Sequence, residues 1–295
     1  RPTCSEGPAK ETMASSWGVA AVATAAVAGL VASALLRRKP KEEEKKKKPG
    51  LVYLHQFPVT PGWPSYSPPC LKLETYLRLA GVEFVDCRGT EMGPLGKQPW
   101  IEVDGEAVPD SDTIVHVLQT KQLGTPLDEC MPPAAHLAKR TLEEHVYWAI
   151  VYSRWIEAPD LVGSTLFNDS RVLKIVAKCV IAPAIKKALH AHGLGRHPRA
   201  EIYRRARADL AAVSATLGSS DFFGGAAPCS ADATCFAIVA NILWSPFASP
   251  LRDALRDDDE FAPLRAHLDR VLARAWGADW DKRGYRRSAP PAEAS

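Results

Sequence analysis

Between residues 51 and 124 the hydrophobic pattern changes period several times. LVYLHQF (51–57) is a short apolar run with strand character, ended by Pro58 and by a Pro/Gly-rich loop that reaches Pro69. In CLKLETYLRLAG the positions Leu71, Leu73, Tyr76, Leu77 and Leu79 recur at mostly helical spacing, and Gly81 closes the segment, which predicts a helix. VEFVDC (82–87) returns to strand. KQPWIEVDGEAV (97–108) reads as two short strands about the turn pair Asp104-Gly105. DSDTIVHVLQTKQLG (110–124) opens on capping residues, keeps Ile114, Val115, Val117 and Leu118 for burial and stops at Gly124, so it is a helix.

The resulting order is strand, helix, strand, strand, strand, helix, which predicts an α/β thioredoxin-like domain with a mixed sheet over residues 51–124. From Ala134 onward the period is helical almost throughout. HLAKRTLEEHVYWAIVYSRWIE, SRVLKIVAKCVIAPAIKKALHAHG, HPRAEIYRRARADLAAVSATLG, CSADATCFAIVANILW and FAPLRAHLDRVLARAW supply about five helices, with Pro or Gly at most breaks. They predict an all-α domain over 132–282, followed by a flexible tail, 283–295. Trp148, Trp155, Trp244, Trp276 and Trp280 are expected in core and interdomain packing.

Upstream, residues 17–36 (WGVAAVATAAVAGLVASALL) carry no charge, long enough as a helix to cross the roughly 30 Å hydrocarbon core of a bilayer. A signal peptide is the competing reading, although the usual positive n-region is missing. Met13 is a plausible start residue. The basic linker that follows (37–50) favours a retained anchor with its C-terminal side in the cytosol, in the endoplasmic reticulum or the mitochondrial outer membrane. The net charge of +3 is set by this linker: residues 37–48 hold eight basic and three acidic groups, which leaves the remainder slightly acidic. Nothing in that balance points to nucleic acid. The seven cysteines are odd in number, widely spaced and without a CxxC pair, so reduced thiols are expected.

LHQFP, PSYSPPCLKLETYLRLAGVEF, KQPWIEVDGEAVPDSDTIVHVL, LEEHVYW, HGLGRH, SADATCFAIVANIL and WGADWD follow one another over residues 51–282. Their succession and spacing resemble the failed axon connections proteins, relatives of the metaxins within the glutathione S-transferase-like superfamily. The resemblance implies a thioredoxin-like domain followed by a helical one, and a membrane-anchored binding or adaptor protein with glutathione as a candidate ligand. It also admits two alternatives: a glutathione S-transferase, or a metaxin-like component of mitochondrial outer-membrane protein import. The partners it implies are the bilayer, proteins at the membrane and a second copy of the chain.

In a thioredoxin-like domain the loop after the first strand meets a helix N-terminus, whose free amides and dipole stabilise a thiolate. Here that junction reads Ser67-Pro68-Pro69-Cys70, with serine where a CPxC pattern has its nucleophile, so dithiol exchange is not expected. Ser67 is the catalytic candidate, through a hydrogen bond to the glutathione sulfur; its alternative role is a helix N-cap. Cys70 is a weaker candidate, with packing as its alternative. The tyrosine of other transferase classes would sit where this chain has His55 or Gln56. The resemblance assigns glutathione recognition to Gln98 and a cis Pro99, and to Asp110 and Ser111, whose alternative role is capping. The long loop before Ser67 carries Trp63 and Tyr66, either of which has the bulk to fill that pocket.

Two further stretches are read as structural. Cys229-Ser230-Ala231-Asp232 matches the superfamily's buried capping motif with cysteine in the Ser/Thr place, so Ser230 and Asp232 are expected to cap a central helix. His190, His192 and His197 cluster in HAHGLGRH, but the glycines predict a helix-ending turn and no metal site is expected.

Overall fold

The computed structural model describes residues 48–59, 62–166 and 171–285. The apolar run 17–36 lies outside them. Among the described residues no helix is long and apolar enough to cross a membrane.

The first domain follows the predicted order: β1 (Val52–Gln56), α1 (Pro68–Leu79), β2 (Phe84–Arg88), β3 (Trp100–Val103), β4 (Glu106–Pro109) and α2 (Ser111–Thr120). The sheet order is β2-β1-β3-β4, with β1 parallel to β2 and antiparallel to β3. The β3–β4 turn needs two residues at positive φ and has them, Asp104 at 53° and Gly105 at 81°. Val52 and Leu54 of β1 point into a core shared with Leu73 and Leu77 of α1, Ile101 of β3, and Ile114 and Leu118 of α2. That shared core fixes α1 against the sheet and therefore fixes where Ser67 ends up.

The second domain comprises α3 (133–157), α4 (Pro159–Leu166), α5 (171–192), α6 (Arg199–Leu217), α7 (Ser230–Leu243), α8 (Pro250–Asp257), α9 (262–276) and α10 (Asp279–Lys282). The five expected helices are α3, α5, α6, α7 and α9. Helices α4, α8 and α10 have at most eight residues each, too few to show a 3.6-residue period. Every residue of α7 is buried, which makes it the central helix. Phe236 of α7 joins Trp244, Trp276, Trp280 and Tyr285 in an aromatic cluster with edge-to-face centroid distances of 4.8–6.3 Å. The cluster reaches the first domain where Trp276 Nε1 donates to Thr75 Oγ1 of α1 at 3.2 Å. Trp148 and Trp155 are only partly buried.

The tail expected to be flexible from residue 283 requires correction at its start. Arg283 bridges Asp86 (2.8 Å) and Glu74 (3.1 Å), and Tyr285 is 5 % exposed within the aromatic cluster. The physical reason is that Arg283 completes an ion cluster begun by Glu74 of α1 and Asp86 of β2, and Tyr285 packs on Trp276 and Trp280 of the helical domain. Residues 286–295 lie outside the described part.

Candidate functional site

The sheet register brings the candidate residues to one end of the first domain. His55 at the end of β1 pairs with Trp100 at the start of β3, and Trp100 pairs with Pro109 at the end of β4. One step beyond this row stand the loop to Ser67, the Gln98-Pro99 pair and the Asp110-Ser111 pair. The Gln98-Pro99 peptide is cis. Residues separated by over forty positions therefore share an edge, which is where a peptide-like ligand would lie along the sheet.

Ser67 is the N-cap of α1. Its extended backbone (φ −115°, ψ 109°) turns the hydroxyl back, so that Oγ accepts from the Cys70 amide at 3.3 Å, with Pro68 and Pro69 in the first turn. The cap uses the oxygen's lone pair and leaves the hydroxyl proton as a donor. Cys70 is 1 % exposed. Burial pushes its thiol up to about 12, against hydrogen bonds from Ser67 and the Phe57 main chain and the charge of Arg88. A thiol in that state supplies no thiolate at neutral pH, so Cys70 has the packed role and not the reactive one. The end of β1 likewise holds no phenol. Gln56 is buried and its amide donates to Glu74 Oε2 (2.7 Å) and Asp86 Oδ1 (2.8 Å).

The loop before Ser67 reaches across to the helical domain. Trp63, 2 % exposed, packs edge-on against Tyr66 (4.6 Å) and Phe247 (5.1 Å) and touches Val162 in the same cluster. Arg154 of α3 lies over it at 4.8 Å and donates to the Tyr66 carbonyl (3.0 Å) and to the Asn241 carbonyl and side-chain oxygens (3.2 and 2.8 Å). Arg154 is 4 % exposed, and the carboxylates among the described residues form no ion pair with it. Burial lowers the pKa of its guanidinium, opposed by Tyr147. The faces of Trp63 and Phe247 supply part of the missing counter-charge. What remains open beside Arg154 is a cavity of about 10 Å³, room for roughly one water.

At the opposite wall, the Gln98 side chain points inward and donates to the Gly89 and Glu91 carbonyls (3.0 and 2.7 Å), pinning the β2–β3 loop. That loop lies so close to Trp100 that a Cβ on Gly93 would come within 2.6 Å of the indole. The Gln98 Nε2 group is thus structural, its Oε1 is buried without a partner among the described residues, and its main chain remains for a ligand. Asp110 holds a left-handed conformation (φ 69°) that costs a non-glycine residue on the order of 1–3 kcal/mol. Its Oδ1 accepts from the Asp112 and Thr113 amides at 3.0 and 3.1 Å, so it caps α2. Ser111 beside it is buried at 9 % exposure.

The next residue, Asp112, is the electrostatic knot of the domain interface. Lys72 of α1 and Lys139 of α3 reach its Oδ1 at 2.7 and 2.8 Å, and Arg140 reaches Oδ2 at 3.1 Å. Glu143 answers Lys72 at 2.5 Å and accepts from Thr234 of α7 at 3.1 Å. Burial raises the Asp112 carboxyl, but the charges and hydrogen bonds of Lys72 and Lys139 outweigh it and hold it well below the usual carboxylate range. Neither Lys72 nor Asp112 was singled out in the sequence. An N2 aspartate reads as helix-end charge, and nothing local announces its three cations.

Known proteins match this arrangement. A family model described as the glutathione S-transferase N-terminal domain covers residues 68–160, and one described as the glutathione S-transferase C-terminal domain covers 206–271. Failed axon connections of Drosophila melanogaster is 32 % identical over 254 residues, covering 79 % of this chain and 59 % of the fly protein. The chain belongs to the failed axon connections family of the glutathione S-transferase-like superfamily. It spans about three fifths of that relative's length. Among solved structures, the β-etherase LigF from Sphingobium is similar with a TM-score of 0.56 at 18 % identity, covering 79 % of this chain and 99 % of the enzyme. A glutathione S-transferase of Methylobacterium radiotolerans, in complex with glutathione sulfonate, gives a TM-score of 0.49 at 18 % identity over 83 % of this chain and all of that one.

In this member of the family the central-helix cap is carried by Asp232. Its Oδ2 accepts from the Cys229 amide at 2.7 Å, and its Oδ1 faces the Phe223 amide at 2.8 Å. Ser230 contributes its own amide, which donates to Asp128 Oδ1 of the interdomain linker at 2.7 Å, while Gln119 of α2 donates to the other Asp128 oxygen at 3.2 Å. Asp128 therefore ties α2, the linker and α7 together. It was missed because a linker aspartate has no local pattern.

Proposed function

We propose that this chain is a membrane-anchored, cytosol-facing binding or adaptor protein that has kept a glutathione-transferase body and holds glutathione without conjugating it. The observation that carries this reading is the Trp63 wedge: a buried indole from the loop before Ser67 is clamped between Phe247 and Arg154, closing the junction with the helical domain, which is where this reading puts an electrophile. The surroundings of glutathione would be the Gln98 main chain ahead of Pro99, and Asp110 and Ser111 at the start of α2. Anchoring falls to residues 17–36, and the basic block after them favours a cytosolic body. Passing the purified full chain over immobilised glutathione, and mixing it with glutathione and 1-chloro-2,4-dinitrobenzene, tests both parts. Retention with no conjugation above the uncatalysed rate is expected. Conjugation that Ser67→Ala abolishes without loss of folding overturns the non-catalytic part.

That last outcome defines the second reading, a glutathione S-transferase using Ser67. It is favoured by one detail: the Ser67 hydroxyl sits at a helix N-terminus, where the cap uses its oxygen as acceptor and its proton, which faces the buried Cys70 sulfur, is the donor a ligand thiolate would have to take over. A role in mitochondrial outer-membrane protein import rests on the metaxin relationship. Imaging of a tagged full chain tests it, and reticular labelling alone counts against it.

A further inference from the structure

A cavity of about 350 Å³, lined by none of the candidate residues around Ser67, lies where α3, the turn after α5 and α6 meet. Its ionisable lining is His145, His192, Arg196, His197 and Arg205, with no carboxylate, and Gly193 and Leu194 complete it. This is the HAHGLGRH turn that resembled a metal motif. Two guanidiniums in the wall repel a cation, so the chemistry of the lining runs the other way.

The donors are fixed by the residues behind them. His145 Nδ1 is held by Asp209, leaving Nε2 without a partner among the described residues. His192 contacts the Glu144 carbonyl at 2.9 Å through Nε2 and stacks on Trp148 at 4.8 Å. Arg196 donates Nε to the His190 carbonyl at 2.9 Å, which orients the guanidinium; its terminal amino groups have no partner among the described residues. Arg205 shares the single carboxylate of Glu201 with Arg204, at 2.7 Å from each Nε. Donors therefore outnumber acceptors around a space at the lower end of ligand-pocket sizes, roughly 300–1,000 Å³. The buried Leu194, 3 % exposed, gives it an apolar element.

We infer that this cavity binds a small phosphate ester, with the phosphoryl group on Arg196, His197 and Arg205 and the organic part over Leu194. A tetrahedral phosphate accepts hydrogen bonds from several directions at once, and guanidinium forks match its oxygens in pairs. The inference does not depend on glutathione binding. Titration of the full chain by calorimetry at constant ionic strength, with glucose 6-phosphate, glucose and inorganic phosphate, tests it. Saturable binding of glucose 6-phosphate and none of glucose is expected. Arg196→Gln should weaken that binding by about tenfold or more, in line with loss of a charge-assisted bidentate contact, while Ser67→Ala leaves it unchanged. Inorganic phosphate binding with the same dependence on Arg196 also supports the site and marks the phosphoryl group as the part recognised. Equal behaviour of glucose and its phosphate, binding that survives an Arg196→Gln/His197→Asn double substitution, or binding lost in Ser67→Ala overturns it. Arg196 is exposed and His197 half-buried, so substitutions at these two positions remove no fully buried side chain.

Discussion

His267 Nε2 lies 2.7 Å from Asp232 Oδ1, and both side chains are fully buried. The same carboxylate also accepts the amides of Phe223 and Cys229, so one side chain satisfies α7, the loop before it and α9. A lost helix cap alone costs about 0.5–2 kcal/mol. Asp232→Ala instead leaves several buried donors unpaired at about 1–3 kcal/mol each, so a loss of at least about 3 kcal/mol is expected. Urea unfolding of the variant measures it. A loss below about 1 kcal/mol would mean that the network contributes no more than a simple cap.

Thiol reactivity should follow burial and not position in the SPPC stretch. The six cysteines among the described residues are free, with Cys130 and Cys179 exposed and Cys70, Cys229 and Cys235 buried. Burial pushes the Cys70 and Cys229 thiols up to about 12. Iodoacetamide at neutral pH should label Cys130 and Cys179 in the folded protein and reach Cys70 only after unfolding. Mass spectrometry of the digested protein reads this directly, and fast labelling of Cys70 in the native state would restore it as a nucleophile.

The domain interface should fail in acid. Asp112 is half-buried among Lys72, Lys139 and Arg140, and the cations lower its folded pKa below the unfolded value of about 3.9. A depressed folded pKa gives stability that is fully present above the unfolded value and lost as pH falls toward the folded one. Asp86 titrates in the same direction: burial raises it, and Arg88, Gln56 and Arg283 outweigh that. Melting temperature should therefore drop steeply below about pH 4. Asp112→Asn should flatten that limb while lowering stability at pH 7. An acid limb unchanged in the variant would place the titrating groups elsewhere.

The legible parts of the fold were those written in local patterns. The Asp104-Gly105 hairpin, the helix at Ser67 and the cap at Asp232 each rest on residues within a few positions, where period and turn chemistry act. The illegible parts are pairings between distant residues. Arg154 meets Tyr66 across 88 positions, and Lys72 meets Glu143 across 71. Lysine, arginine and glutamate on helices are ordinarily solvated surface, so nothing in the sequence distinguishes these buried ones. Ser67, Gln98 and Asp110 were found through family resemblance. In the folded chain the Gln98 amide nitrogen and the Asp110 carboxylate are already engaged, one with the β2–β3 loop and the other with α2.

On the proposed function, Trp63 is the residue that closes the body to a second ligand. Its indole holds Arg154, Phe247 and Tyr66 together, and truncating a buried aromatic costs about 3–5 kcal/mol, so Trp63→Ala measures little but instability. Trp63→Leu keeps an apolar contact while giving back volume between the loop before Ser67 and the helical domain. If the wedge is what excludes an electrophile, Trp63→Leu should conjugate 1-chloro-2,4-dinitrobenzene to glutathione faster than the unmodified chain. Adding Ser67→Ala should remove the gain. The gain needs both the vacated volume and the Ser67 hydroxyl donor, which is why neither substitution alone separates a blocked transferase from a body that has lost the chemistry. No gain in Trp63→Leu, with glutathione still retained on the column, would mean that the Ser67 end binds the tripeptide but lacks the arrangement to activate its thiol.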